Sequence, residues 1–335
     1  MPVRYLALVA ISLVAVVLFA STPGNAVTNR PLRVITTFPG LKYDVQNLVC
    51  EGDVVETLLP PGVDPHEYSL TPGDITKLQE ADLIVSTGHT GFEQKIEELW
   101  RSGVIKGVLI NVLELPGITI FTNPSTGQPD YHMPIYYPLN YIAFVRNVSE
   151  TLASLNPAAS QCYLSRALNV TTRVAGLYVS TPPLRGKAVG DLPYTVYVAN
   201  WLGLDLAGLI IKEEGLPATP GELSTYQEMM RNGSIAYVLV TVYGSTKSTV
   251  STQLENMAAS YGVKVIKLYG AVYPNSILDK LVYVYTQITN TSLTTATETA
   301  HQVTPSGLSW FGVAMIVVAV ITLVGLAVYL LVSRK

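Results

Sequence analysis

Short runs of apolar, mostly β-branched residues alternate with stretches whose apolar positions recur every three or four residues, and this alternation runs twice along the chain. In the first half, Leu32 to Phe38 predicts a strand ended by Pro39-Gly40, Tyr43 to Cys50 a helix, and Val54 to Leu59 a second strand. Thr71-Pro72-Gly73-Asp74 opens another helix, with proline in its first turn and Ile75, Leu78 and Ala81 at helical spacing. Leu83 to Ser86, Phe92 to Arg101 and Val108 to Ile110 follow as strand, helix and strand. The second half repeats the scheme, with strands at 187–190, 206–211, 235–241 and 263–268. Its helices fall at 194–202, 220–231, 247–261 and 276–289. Such alternation implies parallel sheets with right-handed crossovers.

Between the halves, Ile142, Val145, Val148, Leu152 and Leu155 mark one long helix, which Asn156-Pro157 breaks. A second helix running to about Tyr178 would be ~30 Å long, roughly the width of a domain. The expected fold is α/β: an N-terminal lobe over 31–138, interlobe helices over 139–180 and a C-terminal lobe over 183–289. A cleft between two such lobes is a binding-protein architecture.

The ends of the chain read differently. Arg4 precedes an uncharged apolar run, Tyr5 to Ala20, and small residues close it at Gly24-Asn25-Ala26, so 1–26 is expected to be a signal peptide. Leu308 to Val332 carries no charge and ends on Ser333-Arg334-Lys335. At ~1.5 Å per residue it can cross a ~30 Å hydrocarbon core. With Trp310 at one edge and Arg334-Lys335 at the other, the expected topology is a single-pass cell-membrane protein with its body outside. The threonine-rich stretch 290–307 reads as a stalk, and His301 within it as solvated. Sequons at Asn147, Asn169, Asn232 and Asn290 fit that exposure.

Composition narrows the function classes. The hydrophobic share of 49% includes both apolar ends and does not imply a polytopic membrane protein. The net charge is −3 with scattered basic residues, so there is no electrostatic case for nucleic acid. Cys50 and Cys162 could pair outside the cytoplasm, but they lie far apart in predicted helices, no sequence rule brings them together, and the reading leans to two buried thiols. No Gly-x-Ser-x-Gly, His-Glu-x-x-His or phosphate loop occurs, so the chain is not expected to be an enzyme.

Candidate chemistry sits in proline-framed loops. His66 lies in Leu59-Pro60-Pro61-Gly62-Val63-Asp64-Pro65-His66-Glu67-Tyr68, directly after a strand, where ligand sites of open α/β sheets gather. Its three prolines leave little entropy to lose on binding. His132 lies in Pro129-Asp130-Tyr131-His132-Met133-Pro134, just ahead of the interlobe helices. Two neutral imidazoles bordering one cleft can share a transition-metal ion. His89, in Thr87-Gly88-His89-Thr90-Gly91, follows a strand in the same lobe; bordering the cleft is one reading, and a helix-entry or surface role is the favoured one.

Val34-Ile-Thr-Thr-Phe-Pro, the Asp64-Pro-His-Glu-Tyr loop, Thr71-Pro-Gly-Asp-Ile-Thr-Lys-Leu and Ala81-Asp-Leu-Ile-Val together resemble one family. It is the TroA/ZnuA-like extracytoplasmic solute-binding proteins of zinc and manganese ABC importers. The resemblance covers roughly 32–289 and implies two lobes joined by a rigid helix, a divalent metal ion (zinc or manganese) between them, and ABC permease and ATPase subunits as partners. It also implies His66 and His132 as ligands. The family's third ligand falls near Asp191-Leu192-Pro193, where Asp191 is the only candidate donor. Its fourth, a carboxylate, falls near Tyr269-Gly270-Ala271, where none is present. Tyrosines 131, 136, 137, 194, 197, 243, 269 and 273 gather around the supposed cleft and are read mostly as core or interface rings. The first functional expectation is metal capture for a permease. The alternatives are the same fold binding another solute, such as a metal chelate, and a cell-surface adhesion protein with a degenerate metal site.

Overall fold

β1 (Arg33–Thr36), β2 (Val54–Thr57), β3 (Leu83–Ser86) and β4 (Val108–Asn111) form an all-parallel sheet in the order β2-β1-β3-β4. The computed structural model describes residues 30–289, so the expected signal peptide, stalk and membrane anchor lie outside the described residues. Among the described residues no helix is long and apolar enough to cross a membrane.

The second lobe supplies β5 (Lys187–Gly190), β6 (Asp205–Leu209), a hairpin of β7 (Ile211–Glu213) and β8 (Leu216–Pro217), β9 (Ile235–Val242) and β10 (Lys264–Tyr269). Its parallel sheet runs β10-β9-β5-β6. Read from the other edge, this is the order of the first sheet: second strand, first, third, fourth. In each sheet the winding reverses beside the first strand, and loops at the carboxyl ends of the strands there are the usual ligand position.

Helices cover both sheets. α1 (Pro39–Gln46), α2 (Pro72–Glu80) and α3 (Gly91–Arg101) belong to the first lobe. Pro39-Gly40, expected to end a strand, instead starts α1, because proline at a helix's first position lacks only an N–H that has no intrahelical partner there. Thr71 and Asp74 close a capping box on α2. α4 (Pro138–Leu155) and α5 (Ser160–Ser180) lie between the sheets in sequence, and α5, 21 residues long, spans ~30 Å. α6 (Thr195–Leu202), α7 (Pro220–Arg231), α8 (Thr249–Tyr261) and α9 (Ile277–Thr289) complete the second lobe.

One buried core continues from Val34 and Leu83 in the first sheet, through Val145 and Val174 of α4 and α5, to Leu268 and Leu281 of the second lobe. A second cluster, around Val189, Val238, Leu254 and Met257, packs inside the C-terminal lobe. The lobes are also tied by polar contacts. Oδ1 of the fully buried Asp44 in α1 accepts from the backbone N–H of Ile277 at 2.7 Å and from the Tyr141 hydroxyl at 2.7 Å. Lys280, equally buried, donates to the Ala271 carbonyl at 3.1 Å. Burial pushes the Asp44 carboxyl up and the Lys280 ammonium down, while their mutual attraction opposes both.

Cys50 and Cys162 are not free thiols. They form a disulfide with their Cα atoms 6.3 Å apart, closing a separation of 112 residues. Cys50 lies in the loop after α1 rather than in a helix, and that loop runs beside the start of α5. Asp53 fixes the approach: it accepts from the Cys50 N–H at 3.0 Å and from the Tyr163 hydroxyl, one residue past Cys162, at 2.8 Å.

Candidate metal centre

Three loops of the first lobe each deliver one imidazole. His66 follows β2, and its backbone N–H donates to Asp64 Oδ1 at 2.9 Å, a local turn that the flanking prolines stiffen. His89 follows β3 and is placed by Glu93, a buried carboxylate in the first turn of α3. Glu93 accepts from the backbone N–H groups of Thr87, His89 and Thr90 at 2.7, 3.0 and 3.0 Å. It also accepts from the hydroxyls of Thr37, Ser86 and Thr90 at 2.6, 3.0 and 3.0 Å. Gly88 lets the loop turn: its φ is +77°, and a Cβ there would meet Asn111 Oδ1 at 2.0 Å.

His132 is held by its neighbours. Asp130, fully buried, has Oδ1 2.9 Å from the ring Nδ1 and accepts from the His132 backbone N–H at 3.0 Å. The Tyr197 hydroxyl donates to the Asp130 carbonyl. Met133, next in the chain, is the one non-glycine among the described residues with positive φ, at 49°. A left-handed residue is costly for a side chain of this size, and such outliers mark positions where the chain is held for a purpose.

The three rings meet. One nitrogen from each of His66, His89 and His132 lies within 4.8 Å of those of the other two. Ring centroids stand 4.1 Å apart for His89 and His132, 5.3 Å for His66 and His89, and 6.2 Å for His66 and His132. His89 Nε2 is buried and has no hydrogen-bond partner. Burial, reinforced by the neighbouring His132 and His66, pushes the His89 pKa down to about 4, so its imidazole stays neutral with a lone pair to give. A buried, unpartnered nitrogen beside two other imidazoles suits a transition-metal ion, which prefers nitrogen donors and needs them deprotonated.

The second lobe brings carboxylates from a place the sequence reading missed. The apolar pattern shows one strand over 206–211, whereas β6 ends at Leu209 and the chain turns into the β7-β8 hairpin. Glu214 Oε2 stands 2.8 Å from His66 Nδ1, and Glu213 Oε2 stands 3.5 Å from His132 Nε2. Burial raises the Glu213 carboxyl, against the pull of His132. The available signal was Glu213-Glu214-Gly215, an acidic pair and a turn glycine directly after a strand.

Asp191 is not brought to the cluster. Fully buried at the end of β5, it accepts from the backbone N–H and hydroxyl of Thr241 at 2.5 and 2.9 Å and from the Ser251 hydroxyl at 2.6 Å. Those bonds occupy both oxygens and tie β5 to β9 and α8, a structural task that leaves little for an ion. The position after β10 holds Ala271, Val272 and Tyr273, and Asp279 caps α9 through Ser276 instead. Between the lobes is a cavity of about 710 Å³, lined by His66, His89 and His132 on one side and by second-lobe residues on the other.

Residues 34–290 match the family described as zinc-uptake complex component A, periplasmic, and the chain belongs to that family of metal-binding solute-binding proteins of ABC importers, which are not enzymes. The manganese-binding lipoprotein MntA of Halalkalibacterium halodurans is 24% identical over 253 residues, 72% of this chain and 82% of the relative. The iron-binding protein YfeA of Yersinia pestis is 31% identical over 163 residues, 48% of this chain and only 50% of that protein's length. Among solved structures, a ZnuA crystal structure superposes with a TM-score of 0.61 at 22% identity, covering 78% of this chain and 99% of that one. FpvC of Pseudomonas aeruginosa in complex with Mn²⁺ gives 0.61 at 19% identity, covering 78% and 99%. The two-lobed α/β architecture with parallel sheets is shared with these proteins.

Proposed function

We propose that this protein captures a divalent transition-metal ion, zinc or manganese, between its lobes and hands it to the permease of an ABC importer driven by an ATPase subunit. His66, His89 and His132 ligate the ion, and Glu213 supplies a carboxylate from the second lobe. The uncharged run 308–332 anchors the body to the cell membrane with the binding lobes outside. The observation that carries this reading is the convergence of three imidazole nitrogens within 4.8 Å, one of them buried and unpartnered. Three protein nitrogens and a carboxylate form a four-donor set of the kind transition-metal sites use.

Calorimetric titration of metal-stripped protein with zinc and with manganese tests it. Saturable one-to-one binding is expected, weakened at least tenfold in His66→Ala, His89→Ala and His132→Ala. A wild-type protein that saturates with neither ion refutes the reading, as does undiminished binding in all three variants.

A further inference from the structure

We infer that the cleft takes its ion preferentially as a complex with a small organic chelator, an inference that rests on the metal-capture reading above. Three observations carry it. The three imidazoles all come from the first lobe, so they hold an ion against one wall. The facing wall carries Glu214 beside His66, and the rest of it, Leu192, Pro193, Tyr194, Tyr243, Val272 and Tyr273, is mostly apolar and aromatic. The space between is about 710 Å³. This is a partly open cleft with room for a small organic molecule beside the ion. Organic-ligand pockets are commonly about 300–1,000 Å³, apolar, with a few fixed polar groups.

The aromatic wall is prepared in advance. Tyr273 stacks on Tyr269 with centroids 4.6 Å apart and planes at 8°, and Tyr269 stacks on Tyr283 at 4.3 Å. Tyr194 spends its hydroxyl on Thr241 at 2.9 Å and stacks on the buried Tyr136 at 5.1 Å. Rings held this way offer flat surface at low entropic cost and do not reach out as ligands. An ion held by three imidazoles and Glu213 takes further donors only by expanding beyond four-coordination, as zinc and manganese sites do. A heteroaromatic carboxylate or an amino-acid chelator supplies those donors as nitrogen and oxygen, displaces bound water, and lays its ring or side chain against Tyr273 and Val272.

The test uses metal-stripped full-length protein, titrated at matched free zinc with zinc alone, zinc–picolinate, zinc–histidine and zinc–2,2′-bipyridine. The expected result is that at least one one-to-one complex binds tenfold tighter than zinc alone, with one chelator retained per ion after dialysis. Tyr273→Ala should lose that gain while binding zinc alone like the parent. Val272→Phe, which fills the cavity, gives the same separation should Tyr273→Ala fail to fold. If zinc alone binds and no complex binds more tightly with its chelator retained, the inference is overturned and metal capture stands. If no form of zinc binds and manganese also fails, the metal-capture reading falls, and the inference with it.

Discussion

The imidazole of His132 stands with Nδ1 2.9 Å from Oδ1 of Asp130, a buried carboxylate two residues earlier in the chain. That contact sets the proton on Nδ1 and turns Nε2 toward Glu213. Carboxylate partners of ligating histidines are commonly worth about 10- to 100-fold in metal affinity. Asp130→Asn should therefore weaken binding by about that factor, with the fold intact by circular dichroism. Competition against a fluorescent chelator reads it, and an affinity within twofold of the parent would show that Asp130 only shapes the loop.

His89 makes the stability of the metal-free protein depend on pH. Its folded pKa is about 4 against 6.5 for the free side chain. Above that range the ring is neutral in both states, and below it charged in both. In between, the unfolded chain binds more protons, so stability is lost as pH falls from about 6.5 through 4. Urea midpoints at pH 4.5 and 7 should differ less in His89→Gln than in the parent. Equal differences would mean that His89 is as readily protonated in the folded protein as in the unfolded chain.

The Cys50–Cys162 bridge closes 112 residues of chain and ties the loop after α1 to α5. In the chain-entropy model a loop of that size stabilises the fold by roughly 4–5 kcal/mol. The double variant Cys50→Ser/Cys162→Ser should show a large drop in urea midpoint. Its zinc affinity should stay near the parent's, since the bridge joins none of the three histidine loops. A loss under about 1 kcal/mol would contradict the entropic account.

Lys280 lies buried near Asp44, at the base where α9 meets α1. The two are not in ion-pair contact but attract across the buried space between them. Breaking even a contacting buried pair commonly costs about 3–5 kcal/mol, which is the upper bound here. Lys280→Met should destabilise by less than that bound, and adding Asp44→Asn should recover part of the loss. A double variant less stable than Lys280→Met would argue against their attraction.

The strands Leu83–Ser86 and Lys187–Gly190 and the helix Pro220–Arg231 fall where the hydrophobic pattern places them. Their side-chain period reports which backbone torsions bury an apolar face, and that is local information. The β7-β8 hairpin was not legible in the same way, because its strands are two and three residues long and carry no period to detect. The role of His89 is hidden in the sequence for a related reason. The residues around it read as a helix entry, and Glu93 does build that entry, yet the same capping network aims the ring at His132.

By itself the sequence determined two α/β halves, the helices between them, and the proline-framed loops that carry His66 and His132. Those features follow from neighbours in the chain: prolines that restrict φ, caps that satisfy end groups, and apolar spacing that decides which face turns inward. Tertiary structure alone decided that His89 joins the pair, that Glu213 faces His132 while Asp191 is spent on Thr241 and Ser251, and that Cys50 meets Cys162. Each of these is a distance between residues remote in the chain, set by how sheets and helices pack, and no local pattern of torsion or polarity encodes it.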